Sequence, residues 1–590
     1  MSNVLLPPPL ILIIGALVVP FLRGRLKSGF MLLLPVVVFW TLLQMPEGKY
    51  WGLKILEYDV ILGRVDRLSM VFGYIFTLIT FIGILFALKV EDDLQHVSAL
   101  MYAGGALGVT FSGDFFSLYI FWEVLAISST FLILARRTKS SQEAAYRYIL
   151  VHVVGGLCLL AGIVVYVQEK GSLEFGSIGL GGLGSWLIFI GIALNAAIFP
   201  LHSWLPDAYP EATVTGAVFM SALTTKSAVY VMARTFPGTE LLIWLGAFMT
   251  VIPLFYALLE NDIRKVLAYS IISQGGFMMC GIGIGTPLAI NGAVSHAFCS
   301  ILYTALLFMS AGSVLHMTGK IRCTDLGGLY KTMPLTCLFY LIGAASISGL
   351  PLFSGFVSKS MVISAAAHEK MLWPWLFLTF ASACTFFYAA LKVPFAAFFG
   401  PISVTRSEEP PLHMILAMGI AAFLSLIIGL YPDLLYVILP KSVDYVPYTG
   451  SHVVGHLQLA MFAGLAFCLF IRSEYYHAEE KAVYLDVDWF YRKGGSLFYR
   501  FMDKILNGFN RYSHRLFVQG LAAGLAQWSR VPLSLIIHLY MKAAGKEAYD
   551  FRGIKESSRP EASNIMSMGM PVFLSFICLF CLIVVFVVLI

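Results

Sequence analysis

Lys226 lies near the middle of an apolar run within FPLHSWLPDAYPEATVTGAVFMSALTTKSAVYVMAR, residues 199–234. A lysine at membrane depth costs roughly 2.5–3.5 kcal/mol on insertion scales, so such a position marks an ion path or a proton relay. Glu123, inside SLYIFWEVLAISSTFLIL, sits among apolar and small hydroxyl residues. A carboxylate in that setting is either protonated or paired with a cation. Lys226 is the natural partner on composition grounds, giving a Glu/Lys pair whose proton occupancy changes with its surroundings. A static structural ion pair is the plainer reading.

His152 (RYILVHVVGG) and His296 (NGAVSHAFCSILYTALLF) are each the ionisable side chain of a helix interior. Such a histidine is either a hydrogen-bonded core residue or a proton carrier. His296, Ser300 and Thr304 recur every four residues and therefore share one helix face, where a short file of water has room. Lys392, in CTFFYAALKVPFAAFFG, is a second deep lysine, with Pro394 just beyond it and snorkelling to an interface as the alternative. Lys359 ends SISGLPLFSGFVSK, whose Gly349, Pro351 and Gly355 interrupt a helix. Broken helices line polar cavities in transporters built from inverted repeats. The first half has its own proline-interrupted stretch, carrying His202, Pro206 and Asp207, just before Lys226.

The elements that must position these residues are membrane helices. The chain has 590 residues, 59% hydrophobic and 12% charged, with a mean hydropathy of +0.83. A soluble protein would carry about 25% charged residues. Apolar runs long enough to cross a hydrocarbon core recur almost end to end, and helices satisfy their own backbone there. The fold class is an all-α polytopic membrane protein with about 14 to 16 transmembrane helices, counted by the length a span requires. Spans are expected near residues 4–22, 29–45, 67–89, 97–112, 114–134, 145–167, 184–200, 213–234, 241–259, 265–283, 288–316, 335–358, 372–400, 412–432, 452–472 and 568–590. Met1–Pro20 lacks a basic leader and a small-residue cleavage site, so it counts as the first span.

Alternating the loops puts Arg23, Arg25 and Lys27 on one side with Arg136, Arg137 and Lys139, with Arg264 and Lys265, and with Lys320, Arg322 and Lys331. That side is read as cytoplasmic, with the N-terminus outside. The loop 45–66 carries Lys49, Lys54 and Arg64 on the opposite side, balanced by Glu47, Glu57, Asp59 and Asp66. The net charge of +6 suggests no nucleic-acid partner, and the nine cysteines are scattered. Cys578 and Cys581 read as lipid-buried residues of the last span. The glycine-rich run 176–184 precedes a spanning helix and reads as a turn, since it follows no strand of a βαβ unit.

Residues 473–566 are the long polar stretch, expected on the cytoplasmic side. From Ser496 to Met541, Arg500, Asp503, Lys504, Arg511, Arg515 and Arg530 interleave with apolar side chains, which suits a helix lying in the membrane interface. Val531-Pro532 breaks it in two. A cytoplasmic domain of short helices is the alternative. The organisation expected is N-terminal helices over 1–112, one repeat over 113–260, a second over 261–432, a further helix region over 433–472, the lateral extension over 473–566 and a terminal anchor over 567–590.

The motifs FWEVLAIS, EAAYRYILVHVVGG, NDIRKVLAYSIISQGGFM, LLFMSAGSVLHMTGKIRCTDLGGLYKTMP and LPLFSGFVSK, in that order with the 199–234 run, closely resemble a known family. They are similar to the proton-conducting antiporter-like subunits of respiratory complex I, of multisubunit Na+/H+ (Mrp-type) antiporters and of membrane-bound hydrogenases, including formate hydrogenlyase. The resemblance covers residues 60–430 and implies two inverted repeats with interrupted helices. It implies proton entry at Glu123 and Lys226, and a second half-channel and exit at Lys392. The family's basic position after its D-I-K-R pattern falls on Arg264 and Lys265. Its central lysine before A-L-L-F is replaced here by Thr304, for which His296 or ordered water would substitute. The tail, with LDVDWFYRKGG over 485–495, resembles the lateral extension that holds neighbouring membrane subunits together.

The expected function is therefore a proton- or Na+/H+-translocating subunit of a multi-subunit complex in a prokaryotic cytoplasmic membrane. Its proton path would run through Glu123, Lys226, His296 and Lys392, with His152, Lys265 and Lys359 as further candidates. No metal site and no flavin, haem or iron–sulfur motif is recognised, so redox cofactors would belong to partner subunits. The alternatives are a non-pumping scaffold, motivated by Thr304, and proton-gradient-driven uptake of inorganic carbon with a soluble zinc partner.

Overall fold

The structure is a computed structural model that describes residues 6–55, 58–401, 407–472, 486–522, 539–540, 542–543 and 545. Each stretch expected to span before residue 473 is largely helical among the described residues, with 335–358 interrupted and the helix of 184–200 ending at Asn195. Eleven helices among the described residues are long and apolar enough to cross a bilayer, and shorter apolar helices cover Pro8–Phe21, Leu183–Asn195 and Pro334–Ser348. The expected anchor at 568–590, the Val531-Pro532 break and Cys578 and Cys581 lie outside the described residues.

Burial sorts the helices into a centre and a lipid-facing shell. The most apolar stretches of Val214–Thr235, Ile263–Ile284 and Pro287–Thr318 are 100%, 94% and 94% buried inside the protein, against 6% for Gly450–Arg472. A charge on one of the three central helices meets protein and not lipid. Short polar side chains start the helices: Asp66 accepts from Ser69 N at 2.9 Å, Asp114 from Ser117 N at 2.7 Å, and Thr138 from Ser141 N at 3.1 Å. Each satisfies an amide that has no partner within its own helix.

The stretch expected to be only a loop, residues 45–66, contains a β-hairpin. Gly48–Ile55 pairs antiparallel with Tyr58–Val65, in register from Gly48 opposite Val65 to Ile55 opposite Tyr58. Ile61 N donates to Asp114 Oδ2 at 2.6 Å and Gly113 N donates to Ile61 O at 3.1 Å, which anchors the hairpin to a helix start. The membrane helices cannot supply such edge bonds, because their amides are used internally.

Two helices are broken at depth, one of them away from the expected place. The prolines 206 and 210 fold into a short helix, Trp204–Ala208, and a 3-10 turn, Tyr209–Glu211. The break in the membrane helix comes later, at Leu223, between Val214–Ala222 and Thr224–Thr235. The second break is where glycine and proline predict it, between Pro334–Ser348 and Ser354–His368. Gly349 takes φ +73 there, and a Cβ on Gly355 would fall 1.7 Å from Ser346 O, so neither position tolerates a side chain. Farther on, Phe386–Lys392 and Phe395–Phe399 are wound as π-helix.

Contacts divide the chain into Met1–Trp489 and Phe490–Ile590. In the second part the Asp488–Ser513 helix carries Phe498, Phe501, Met502, Ile505 and Phe509 at helical spacing, with Arg500, Asp503, Lys504, Asn507 and Arg511 between them. This amphipathic pattern matches the interfacial helix expected there. It passes into a π-wound segment, His514–Leu521.

Candidate functional site

The breaks leave backbone groups without helical partners, and buried lysines supply them. Lys226, 2% exposed, donates from Nζ to Ser221 O at 2.8 Å. Lys359, wholly buried, donates to Ile347 O at 2.6 Å. Each lysine thus sits on the second half of a broken helix and caps the last turn of the first half. The terminal carbonyls carry the negative end of the helix dipole, so the caps favour the charged amine. On the other face of the Leu223 break, Thr224 N donates to Tyr102 OH at 2.9 Å.

His296 joins the two lysines. It lies within electrostatic reach of both Lys359 and Lys226. Its Nδ1 is hydrogen-bonded to Ser358 Oγ at 3.0 Å, one residue from Lys359, and its Nε2 stands 3.5 Å from Tyr303 OH. Lys359 Nζ also lies 4.9 Å from the centre of the Phe277 ring. Thr304, in contrast, spends its hydroxyl proton on its own helix, donating to Ser300 O at 2.5 Å. The expected water file on that face therefore has Ser300 and His296 but not a free Thr304 donor.

Glu123 and Lys226 do not form the expected direct pair: no ion pair at 4.0 Å or less joins them among the described residues. Glu123 hydrogen-bonds Tyr119 on its own helix and packs where a Cβ of Gly156 would be, 2.1 Å from Glu123 Oε1. Between the two lie His152 and a set of buried hydroxyls. His152 Nδ1 is bonded to Tyr148 O at 2.9 Å, and its ring stacks on Tyr148 at 3.9 Å and meets Trp204 edge-on at 4.6 Å. Ser129 Oγ is 2.8 Å from Tyr148 OH, which is 3.4 Å from Thr224 Oγ1, itself 2.5 Å from Tyr102 OH. His152 Nε2 and both polar atoms of Asn195 have no hydrogen-bond partner among the described residues. Buried polar atoms of this kind are met by ordered water.

Of the two adjacent basic residues, Arg264 is the interior one. It is 2% exposed, and its Nη2 donates to Tyr209 O, Ala212 O and Thr213 O at 3.0, 2.9 and 3.3 Å. Lys265 turns outward, 3.8 Å from Glu260 Oε2 with its side chain 41% exposed. The loop that Arg264 holds is also clamped by Arg147, forked onto Asp207 at 2.6 and 2.9 Å, and by Arg136, 3.0 Å from Glu211 Oε2. Pro206 is buried in this turn.

Lys392 reaches the end of a neighbouring helix. It follows π-wound turns and donates to Leu258 O and Glu260 O at 2.7 and 2.8 Å. Those carbonyls end the helix that precedes Arg264, so Lys392 sits at the basic end of the bundle, where its side chain caps a helix terminus.

Two further clusters have partners that the sequence did not indicate, one of them around the candidate residue His202. His202, wholly buried, has its Nε2 3.4 Å from Asp486 Oδ1, and Tyr269 OH donates to Asp486 Oδ2 at 2.9 Å. Burial raises the Asp486 carboxyl, but His202 beside it outweighs this and holds it below the usual range. At the opposite end, Arg234 forks onto Asp66 at 2.7 and 2.8 Å and donates to Tyr230 OH at 2.9 Å. Lys226, Tyr230 and Arg234 share one helix face at four-residue spacing, a signal that was present in the sequence.

Residues 112–385 match the family described as NADH:quinone oxidoreductase/Mrp antiporter, TM. The chain is 30% identical over 524 residues to a Na(+)/H(+) antiporter subunit of Alkalihalophilus pseudofirmus, covering 77% of this chain and 65% of that one. It is 29% identical over 515 residues to the corresponding Na(+)/H(+) antiporter subunit of Bacillus subtilis, covering 76% and 64%. It therefore spans a little under two thirds of those relatives. Among solved structures it is similar to a chain of the archaeal membrane-bound sulfane sulfur reductase, with a TM-score of 0.70, 22% identity, and 90% of this chain and 100% of that one covered. A chain of the Mrp complex from Dietzia sp. DQ12-45-1b matches with a TM-score of 0.65, 20% identity, and 78% and 99% covered.

Proposed function

Because residues 112–385 carry a membrane domain of the NADH:quinone oxidoreductase/Mrp antiporter family, we propose that the chain is an ion-translocating subunit of a multi-subunit membrane complex, moving protons or exchanging them for sodium ions. The observation that carries this reading is the buried row Lys226, His296, Lys359. Two amines sit on broken helices, with an imidazole in electrostatic reach of both. A proton leaving one member changes the field at the next, which couples their titration and lets a charge advance stepwise. Glu123, His152 and the Tyr148–Thr224 hydroxyls lead toward Lys226 from the helix that carries Gly156. The arginine- and lysine-bearing loops define the cytoplasmic side, and neighbouring subunits supply the driving reaction and any redox cofactor.

The assembled complex in proteoliposomes tests this directly, by acidification and sodium flux with and without Lys226→Ala. Collapse of transport in an intact assembly supports the relay, and the sodium trace separates exchange from pumping. Wild-type transport by the variant would replace the relay with a scaffold role, the reading that Thr304 favours through its inward-bonded hydroxyl.

A further inference from the structure

Two cavities stand in line at the Val214 end of the broken helix. The outer one, about 440 Å³, is lined by Lys89, Gln95, Thr213, Thr215, His316 and His413 among others. The inner one, about 10 Å³, is bounded by residues that include Gln95, His96, Thr215, Gly216 and Phe219; that is room for a single water. Gln95 and Thr215 belong to both walls, and Thr215 Oγ1 donates to Gln95 Oε1 at 3.0 Å. The partition includes that one side-chain hydrogen bond.

Phe219 forms one wall of the inner cavity. Its ring is seated on Gly83, where a Cβ would come within 2.6 Å of the ring Cζ. Ser221, whose carbonyl holds Lys226 Nζ, is on the same half-helix. At 1.5 Å per residue, Thr215 and Ser221 are about 9 Å apart along the axis.

We infer, building on the translocation reading above, that these cavities form the inlet to Lys226 from the basic side and that the inlet admits protons while rejecting sodium ions. A hard cation that sheds water needs clustered oxygen ligands, carboxylates above all. Among the described residues, none lining either cavity is a carboxylate, and Lys89 adds positive charge to the outer one. Imidazoles, in contrast, take up and release a proton near neutral pH.

Charged groups surround these imidazoles. His413 faces Lys89 and His316. His96, bonded to Val90 O at 2.7 Å, faces Lys27, Asp92 and Asp93. Both acids are already engaged, Asp93 by Lys27 at 2.5 Å and Asp92 by Arg137 at 3.3 Å. His316 and His413 collect protons at the mouth. The Gln95–Thr215 bond and the Phe219 layer form the dry stretch that opens when one passes.

The test uses the assembled complex in weakly buffered proteoliposomes. His316→Gln with His413→Gln changes the mouth and not the packed interior. Proton uptake is expected to fall about a hundredfold, the lower end of what losing a proton-transfer group costs, and to return when imidazole is supplied on the side of the mouth. Wild-type flux, or a loss that imidazole does not restore, overturns the inlet. Lys89→Glu is expected to make sodium compete with protons; sodium without effect overturns the selectivity. Lys226→Ala is run alongside: if it still transports, the translocation reading itself fails, whereas an inactive Lys226→Ala beside a fully active histidine variant removes only the inlet.

Discussion

Lys359 donates its amine to the carbonyl of Ile347 at 2.6 Å, across a gap that separates two halves of one helix. Lys226 does the same to Ser221 at 2.8 Å. In both places the group that would carry the proton is also the group that closes the break, so deprotonation and loosening of the helix end are coupled.

Replacing Lys359 by arginine keeps a permanent charge that cannot be given up. Lys359→Arg is expected to assemble normally and to lose proton transport, whereas Lys359→Met should lose both transport and the order of residues 349–353. Proteoliposome acidification and hydrogen exchange over the break distinguish the two variants.

A methyl group at position 156 would lie 2.1 Å from Glu123 Oε1. Gly156→Ala therefore pushes the carboxylate out of its seat without removing it. Transport should fall about a hundredfold, in the range that misplacing a proton-transfer group costs, with the complex still assembled by size-exclusion profile. Glu123→Gln should give a loss of similar size.

Arg264 and Lys265 are neighbours with opposite fates. Arg264→Ala removes a buried cation that bonds three carbonyls, and should destabilise the protein by about 3 kcal/mol. Lys265→Ala, at an exposed pair, should stay within about 0.5 kcal/mol. Thermal melting of the detergent-purified complex reads both.

Burial raises the Asp66 carboxyl, but Arg234 more than reverses this and holds it at about 2 against an ordinary 3.8. A depressed carboxylate stabilises the fold above its unfolded value and loses that contribution as pH falls through the folded one. The Asp66–Arg234 contribution is thus complete above about pH 4 and disappears between about pH 4 and pH 2. Asp66→Asn should cost about 2 kcal/mol, less than the about 3–5 kcal/mol of a fully buried pair, because the Asp66 side chain is 27% exposed. Melting curves of the variant should flatten across that pH interval relative to wild type.

What the sequence made legible was the identity of the buried charges. Lys226, Lys359 and His296 stand out because everything around them is apolar, and all three are interior. The partners of the two lysines were not legible, since those are backbone carbonyls released by a helix break. The Leu223 break carries neither proline nor glycine to announce it. The setting of Lys392 was hidden for a related reason: a hydropathy run has no record of π winding, which shifts a side chain around and along its helix. Adjacent positions such as 264 and 265 point about 100° apart on a helix, so only packing decides which one enters the interior. The hairpin at 48–65 was hidden because Lys49, Lys54 and Arg64 drew the reading toward membrane sidedness and away from strand alternation.

Asp486 bears on where the chain can be cut. It lies beyond the Gly450–Arg472 helix, yet its carboxylate fills the space between His202 and Tyr269 inside the bundle. A truncation placed after Arg472, at the end of the membrane helices, would remove a carboxylate that His202 and Tyr269 both contact. A shortened chain that keeps this interior contact has to include Asp486.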